Sequence, residues 1–228
     1  MKLTGLDDPI WAALTTEHAG FAQGSSLAKR YAPDVSPFAG VVGQSEAAGV
    51  ALRALVLTDG RVALFAPDTI APPPGLEIER TAGMEQMIAT QEPQAEAPAT
   101  DICDLSDVDA TEMQALVAIT NPGPFGARTH LLGRFLGIRV NTQLVAMAGE
   151  RLRFTGHVEI SGICVHPQHR RKGYARLLIT AVVRRAMQDG LVPFLHVYSD
   201  NAVAIALYKR LKFEVRRQLR VTVLRHTQ

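Results

Sequence analysis

The sequence predicts an α/β fold, with a mixed sheet flanked by helices over residues 101–228 and a small α/β region of unassigned role over residues 1–98. Three observations predict it. Gln91 to Thr100 (QEPQAEAPAT) is polar, Ala/Pro-rich and without an apolar period, so it reads as a linker or long surface loop and puts the main boundary near residue 100. After that boundary, segments of strand character alternate with segments of helical period. At 228 residues, 47% hydrophobic and 20% charged, the chain is one large domain or two small ones, with enough apolar surface to bury a core.

Before the boundary, Asp8 is placed to cap a helix that opens at Pro9 and runs towards Ala22, with Ile10, Leu14 and Phe21 on one face. Val50–Thr58 and Arg61–Ala66 flank Asp59-Gly60, a two-residue hairpin signal, so both are expected to be strands. Ala71-Pro72-Pro73-Pro74-Gly75 excludes a helix or central strand, because proline removes a donor and fixes φ.

After the boundary, Ser106 to Thr120 opens with a capping serine and an acidic first turn, carries apolar Val108, Met113, Leu116, Val117 and Ala118, and stops before Asn121-Pro122-Gly123-Pro124. Phe135–Val140 and Leu144–Met147 read as strands joined around Asn141-Thr142, and His157 to Val165 as a third. Gly173 to Gln188 is helical, with Leu177, Leu178, Ala181 and Val182 on one face. Val192–Tyr198 is a strand, Asn201–Leu211 a helix and Phe213–Leu224 a last strand. In that strand Phe213, Val215, Leu219, Val221 and Val223 alternate with Arg216, Gln218, Arg220 and Thr222, which predicts a core face and a basic face.

Several function classes fall away. No stretch approaches 18 consecutive apolar residues, so no membrane span is expected. Met1 to Pro9 carries Asp7 and Asp8 and no apolar run, which is not a secretory signal. Cys103 and Cys164 are too few for a disulfide framework and point to a reducing compartment, so a soluble cytoplasmic protein is expected. The formal charge of +2 hides an asymmetry: residues 1–150 hold 9 Lys+Arg against 18 Asp+Glu, residues 151–228 hold 15 against 4. A basic C-terminal third predicts either an anionic ligand or attraction between the two halves.

Ile163 to Leu178 (ICVHPQHRRKGYARLL) carries the chemistry. A strand ends at Val165, and Arg170-Arg171-Lys172-Gly173-Tyr174-Ala175 opens a helix, whose first turn offers unpaired amides and the positive end of the dipole. Gly173 and Ala175 let a ligand approach the backbone, and Arg170, Arg171, Lys172 and Arg176 add charge, the outline of a pyrophosphate cradle. The Walker A and G-x-G-x-x-G patterns are absent. Twenty-eight residues after Gly173, Asn201 opens NAVAIALYKRLKF behind another strand.

The ordered set of strand, R-x-x-G-x-A helix, strand and N-x-x-A-x-x-x-Y helix resembles the GNAT superfamily of acyl-CoA-dependent N-acyltransferases. The FR-47-like branch is suggested by PGPFGARTHLLGRFLGIR (Pro122–Arg139) and LVAMAGERLRF (Leu144–Phe154). The resemblance covers residues 101–228. It implies acetyl-CoA as co-substrate, a sheet that splays beside the cradle, and pantetheine held by the backbone of Ile163, Cys164 and Val165. It implies that amides of Arg171 to Arg176 hold the pyrophosphate, that Asn201 contacts the pantetheine or a nearby water, and that Tyr208 lies near the thioester sulfur. Lys212 departs from the glycine many members carry there, which bears on the local turn.

An alkyl amine with a pKa near ~10.4 is nucleophilic in only about one molecule in 10³ at pH 7, so reaching the neutral form costs about 4–5 kcal/mol unless a base takes the proton. Glu159 stands where some GNAT enzymes place that base, acting directly or through water; the alternative is a salt bridge with one of the arginines. The thiolate leaving group, with a pKa around 8.5, departs with little help, so a Tyr208 proton donor gives a modest gain.

His166 and His169 form no metal set, lacking Cys or carboxylate companions, and no metal is expected. His157 and His196 are alternative bases or hydrogen-bonded strand residues, and Cys164 has no nucleophile partners around it. The expected acceptor is a small-molecule or peptide primary amine, its pocket formed by Asn121–Leu132, the Phe135 strand and the N-terminal region. An acyl-CoA-sensing domain without turnover is the rival reading. Nucleic-acid binding is disfavoured because aromatics for base stacking are scarce in the basic third.

Overall fold

A computed structural model of the chain describes residues 5–58, 60–93 and 101–227. Eight strands form one mixed sheet and three short ones form a second.

The N-terminal region begins with a 3₁₀ turn at Gly5–Asp7 and helix α1 (Pro9–Thr15), which Asp8 caps by accepting the Trp11 amide at 3.1 Å. A second 3₁₀ turn, Ala19–Phe21, follows, then β1 (Ala22–Gly24), β2 (Ala28–Tyr31) and β3 (Ala39–Val41). The segment expected as the first strand of a hairpin is instead helix α2 (Glu46–Leu55). Ser45 caps it, accepting the Ala48 amide at 3.2 Å, and Ala48 and Leu52 bury the i, i+4 stripe while Val50 stays exposed. Asp59 of the expected turn lies outside the described residues. β4 (Arg61–Ala66) accordingly pairs with the end of the chain, and β5 (Leu76–Ala89) follows the proline run.

Next come β6 (Cys103–Leu105), α3 (Ala110–Thr120), β7 (Phe135–Val140), β8 (Gln143–Phe154), β9 (His157–Val165), α4 (Tyr174–Gln188), β10 (Val192–Tyr198), α5 (Ala202–Arg210) and β11 (Phe213–His226). The large sheet has the order β4-β11-β5-β10-β9-β8-β7-β6 and the small one β1-β2-β3. Ser106 caps as expected, in a reciprocal box with Asp109, but the turn it starts is 3₁₀, and Val108 on it is 90% exposed rather than in the core. The boundary expected near residue 100 falls between β5 and β6, and both lie in the same sheet. β5 stands between β10 and β11, paired antiparallel to each. Residues 94–100 of the expected linker lie outside the described residues.

One face of the sheet packs on α4 and α5 through Leu178, Val182, Leu195, Tyr208 and Phe213. The other packs on the N-terminal region through Leu14, Tyr31, Phe38, Phe194 and Leu219. Phe213 and Leu219 share parity, yet bury on opposite faces, because β11 is bulged between Val215 and Arg217 and reverses phase there. Val215, expected in the core, is 44% exposed beside that bulge.

Candidate active site

The site is built where two parallel strands part. The β9–β10 ladder runs from His157↔Val192 to Glu159↔Phe194 and goes no further. Beyond it β9 stays with β8 as far as Val165↔Ala146, and β10 stays with β5 as far as Tyr198↔Met84. Gly162, at φ +62, sits in a register shift of β9 against β8, which bends the strand away and re-aims the residues after it. Ile163 and Val165 thus turn to the α4 side and Cys164 to the α3 side. The His196 side chain is only 2% exposed although the residue as a whole is half-buried, so its accessible atoms are main-chain atoms at the parted edge.

A cleft of about 380 Å³ opens at the splay, lined by Ile163, Cys164 and Val165 of β9, by His169, Arg170, Arg171 and residues 173–176, by Leu207 of α5 and by Thr120 and Pro122. Its floor is the start of α4. Asp8, Ser45 and Asn201 cap α1, α2 and α5 with side-chain oxygens, whereas α4 starts at Gly173, φ +81, with no side-chain cap. The amides of Arg171 to Arg176 donate to no protein acceptor among the described residues. Arg171 is also left-handed at φ +65, so these amides curve into an anion-binding nest. A Cβ added at Gly173 would meet no atom within 4 Å, so the space over the nest is open. Arg170, Arg171, Lys172 and Arg176 are exposed and form no ion pair among the described residues. Dipole, free amides and uncompensated cations together suit an anion.

Glu159 lies at the vertex of the splay, on the last paired step, with no exposure. Its Oε2 accepts Arg151 Nε at 2.8 Å, and its Oε1 accepts an Arg151 terminal nitrogen at 2.7 Å and His196 Nδ1 at 2.7 Å. Burial pushes the carboxyl pKa up most strongly, but Arg151 and His196 together pull it down to about 2. Gln86 carries the network on: its amide nitrogen reaches His196 Nε2 at 3.1 Å and the Leu6 carbonyl at 2.9 Å, while its oxygen accepts from Arg216 at 2.8 Å. Arg216 and Arg217 both hold Asp7 Oδ1, at 2.7 and 2.8 Å. Phe38 lies 4.7 Å beneath the Arg151 guanidinium and Phe65 packs 4.8 Å from the His196 ring, so the N-terminal region roofs the ion pair.

A crystal structure of a GNAT-family protein from Novosphingobium aromaticivorans is 36% identical to the chain, with 99% of this chain and 100% of that one aligned at a TM-score of 0.92. The chain belongs to the GNAT acetyltransferase family. The sequence profile of the acetyltransferase (GNAT) family matches residues 102–213 of it. A GCN5-related N-acetyltransferase from Kribbella flavida shares the fold at 17% identity, TM-score 0.64, over 98% of this chain and 94% of that one. No functionally curated protein matches. The likeness to the two solved structures spans the first hundred residues as well, which the family profile leaves uncovered.

GNAT enzymes draw the acetyl group from acetyl-CoA and pass it to an amine. The cradle of this acetyltransferase fits that co-substrate, since it offers open amides and unpaired positive charge where the pyrophosphate would lie. Asn201 caps α5 by accepting the Ala204 amide at 3.1 Å. Tyr208 is buried against Phe213, ring centroids 6.0 Å apart, and burial pushes its phenol up to about 12. Burial likewise pushes the Cys164 thiol up to about 11, which keeps it protonated and unreactive at neutral pH. Lys212, at the position where the resemblance implies a glycine, adopts a left-handed turn at φ +65, a conformation that favours glycine. Sequence reasoning missed the wall formed by Thr120 and Leu207, because nothing in their local pattern distinguishes them from core residues, and it assigned Pro122 to the acceptor pocket rather than to this cleft. No described helix is long and apolar enough to cross a membrane.

Proposed function

We propose that the acetyltransferase moves an acetyl group from acetyl-CoA to a primary amine by direct attack within a ternary complex. The observation that carries the proposal is the nest of free amides at the start of α4, facing the mouth of the β9–β10 splay. Amides of Arg171 to Arg176 bind the pyrophosphate, Arg170 and Lys172 add their field, and Gly173, Tyr174 and Ala175 keep the approach open. The parted edge at Ile163, Cys164 and Val165 receives the pantetheine arm as a neighbouring strand would be received. Asn201, at the turn from β10 into α5, is the residue this reading assigns to contact that arm or a nearby water.

Acetyl-CoA brings an activated thioester whose thiolate leaves readily. Tyr208 holds a proton to about pH 12 and serves as its donor. Glu159 serves the chemistry through its partners. With three hydrogen bonds and a pKa near 2 it is a weak proton acceptor, and its bond to His196 joins β9 to β10 two residues beyond the last backbone pair. It fixes the angle at which the strands part.

The acceptor pocket lies with residues 121–132, which the N-terminal region holds in place. Thr129 Oγ1 donates to the Val35 carbonyl at 2.6 Å and the Arg128 amide to the Asp34 carbonyl at 2.8 Å. A Cβ at Gly126 would meet Asp34 O at 2.4 Å, so the contact is specific to glycine. Small-molecule and peptide amines both suit such a pocket. The segments Pro122–Arg139 and Leu144–Phe154 support an FR-47-like assignment, and the two free thiols support a cytoplasmic setting.

Calorimetric titration with acetyl-CoA tests the reading, followed by an amine panel with thiol-release detection. Binding by the native chain that is lost in Gly173→Trp supports it. A folded native chain that binds no acyl-CoA overturns it.

A further inference from the structure

His169 ends the 3₁₀ turn Pro167–His169 and lines the cleft beside Arg170, Arg171 and Gly173. Its Nδ1 is sealed from solvent and meets no donor or acceptor. No hydrogen bond to protein is made by Nε2 among the described residues either, and the residue lines the cleft.

The groups around the ring are cationic or neutral. His166 meets it edge-on, centroids 5.8 Å apart, with its own Nδ1 accepting the Gln168 amide. Arg170, Arg171 and Arg176 line the cleft from the loop and the first turn of α4, and Lys172 on the same loop acts on the ring through its field. From β9 the neighbours in the cleft are Ile163, Val165 and the protonated Cys164 thiol; α3 and its turn contribute Thr120 and Pro122, and α5 contributes Leu207. No carboxylate forms an ion pair with His169 among the described residues. Desolvation, Lys172 and His166 all push its pKa below the usual imidazole value. Among the described residues nothing compensates a second proton on this ring.

We propose that His169 is a phosphate-binding residue that takes up a proton from solvent when the pyrophosphate of CoA seats in the cradle, so that affinity for CoA rises as pH falls through neutrality. The proposal rests on the cradle assignment made above. Two negative charges beside the ring reverse a field that is otherwise set by cations, and an Nε2–H donor then meets a phosphate oxygen. One proton enters from solvent per ligand bound, and no bond of the ligand breaks.

The test is calorimetric titration of the full chain with 3′-dephospho-CoA at pH 7, in buffers of low and high ionisation enthalpy. That probe lacks the phosphomonoester, which would itself titrate near neutrality. The expected result is net proton uptake by the native chain, retained in His166→Asn and absent in His169→Asn. The His169→Asn variant should bind several-fold more weakly than the native chain at pH 6 and close to native at pH 8. A buffer-independent enthalpy for the native chain overturns the proposal, as does uptake that disappears with His166 instead. A native chain that does not bind the probe in any buffer removes the cradle assignment itself, which is a separate outcome.

Discussion

Replacing Glu159 by Gln separates a vertex clamp from a catalytic base. The substitution keeps the shape and one acceptor oxygen but removes the charge that Arg151 and His196 face. Holding the carboxyl at about 2 instead of the ordinary 4.5 corresponds to about 3 kcal/mol of folding stability at pH 7, at roughly 1.36 kcal/mol per pH unit. Removing one member of a buried pair costs ~3–5 kcal/mol by precedent, so the two routes agree. Because the folded-state pKa is depressed, this stability is fully present above about pH 4.5 and is lost as pH falls towards 2.

Two other groups titrate mostly above that window, overlapping its upper end, and oppose each other. His18 is held down to about 4 by burial, so acidification from 6.5 towards 4 destabilises the fold. Asp8 is raised by burial to about 6, so the fold gains stability as pH falls from 6 towards 3.8. Comparing variant with native chain cancels both. Urea denaturation followed by circular dichroism, repeated from pH 7 to pH 2.5, should show Glu159→Gln less stable by about 3 kcal/mol at pH 7. The gap should narrow steadily below pH 4.5. A gap that is absent at pH 7, or independent of pH, refutes the reasoning. A variant of native stability whose turnover loses only its acidic pH limb would show Glu159 to be a base after all.

Gly173→Trp should fold, since the added side chain points into open space and the left-handed φ costs about 1–3 kcal/mol, while acetyl-CoA binding falls below detection; near-native thermal unfolding with retained binding would contradict the cradle. Tyr208→Phe should lower kcat by about tenfold or less, because the thiolate leaves readily unaided. With the phenol pushed up to about 12, the native pH–rate profile should show no tyrosine limb between pH 6 and 10. Cys164 should resist alkylation by iodoacetamide in the native protein at pH 7, being buried with a thiol near 11, and Cys164→Ser should retain turnover; rapid labelling of the folded chain would show the site to be open. A fragment of residues 101–228 should be insoluble or unfolded, because it leaves the inner edges of β10 and β11 unpaired; a soluble, cooperative fragment would refute that reasoning.

What could be read from the sequence was what is local. β9 and β10 have the bounds their apolar runs suggest, and the cradle is legible because its chemistry sits within one strand–loop–helix segment. Helix α2 escaped because Asp59-Gly60 spoke for a hairpin more loudly than Ser45 spoke for a cap. Glu159 illustrates the other limit. Its partners are Arg151, across a hairpin, and His196, on a strand that only the sheet order brings alongside, so neither the pair nor its roof of Phe38 and Phe65 shows in linear spacing. The bulge in β11 is equally silent, since unbroken alternation conceals a change of face between Val215 and Arg217.

The position of β5 bears on how the chain comes off the ribosome. Both strands that flank it, Val192–Tyr198 and Phe213–His226, are synthesised more than a hundred residues later. β5 therefore waits through most of the synthesis of these residues with two unsatisfied hydrogen-bonding edges, and the sheet closes only once Phe213–His226 has emerged. Such high contact order favours slow folding and exposes Met84–Ala89 to off-pathway pairing in the interval. A nascent chain stalled short of residue 213 has no partner for the second edge, so chaperone dependence during synthesis is the biological cost of placing an early strand at the centre of the sheet.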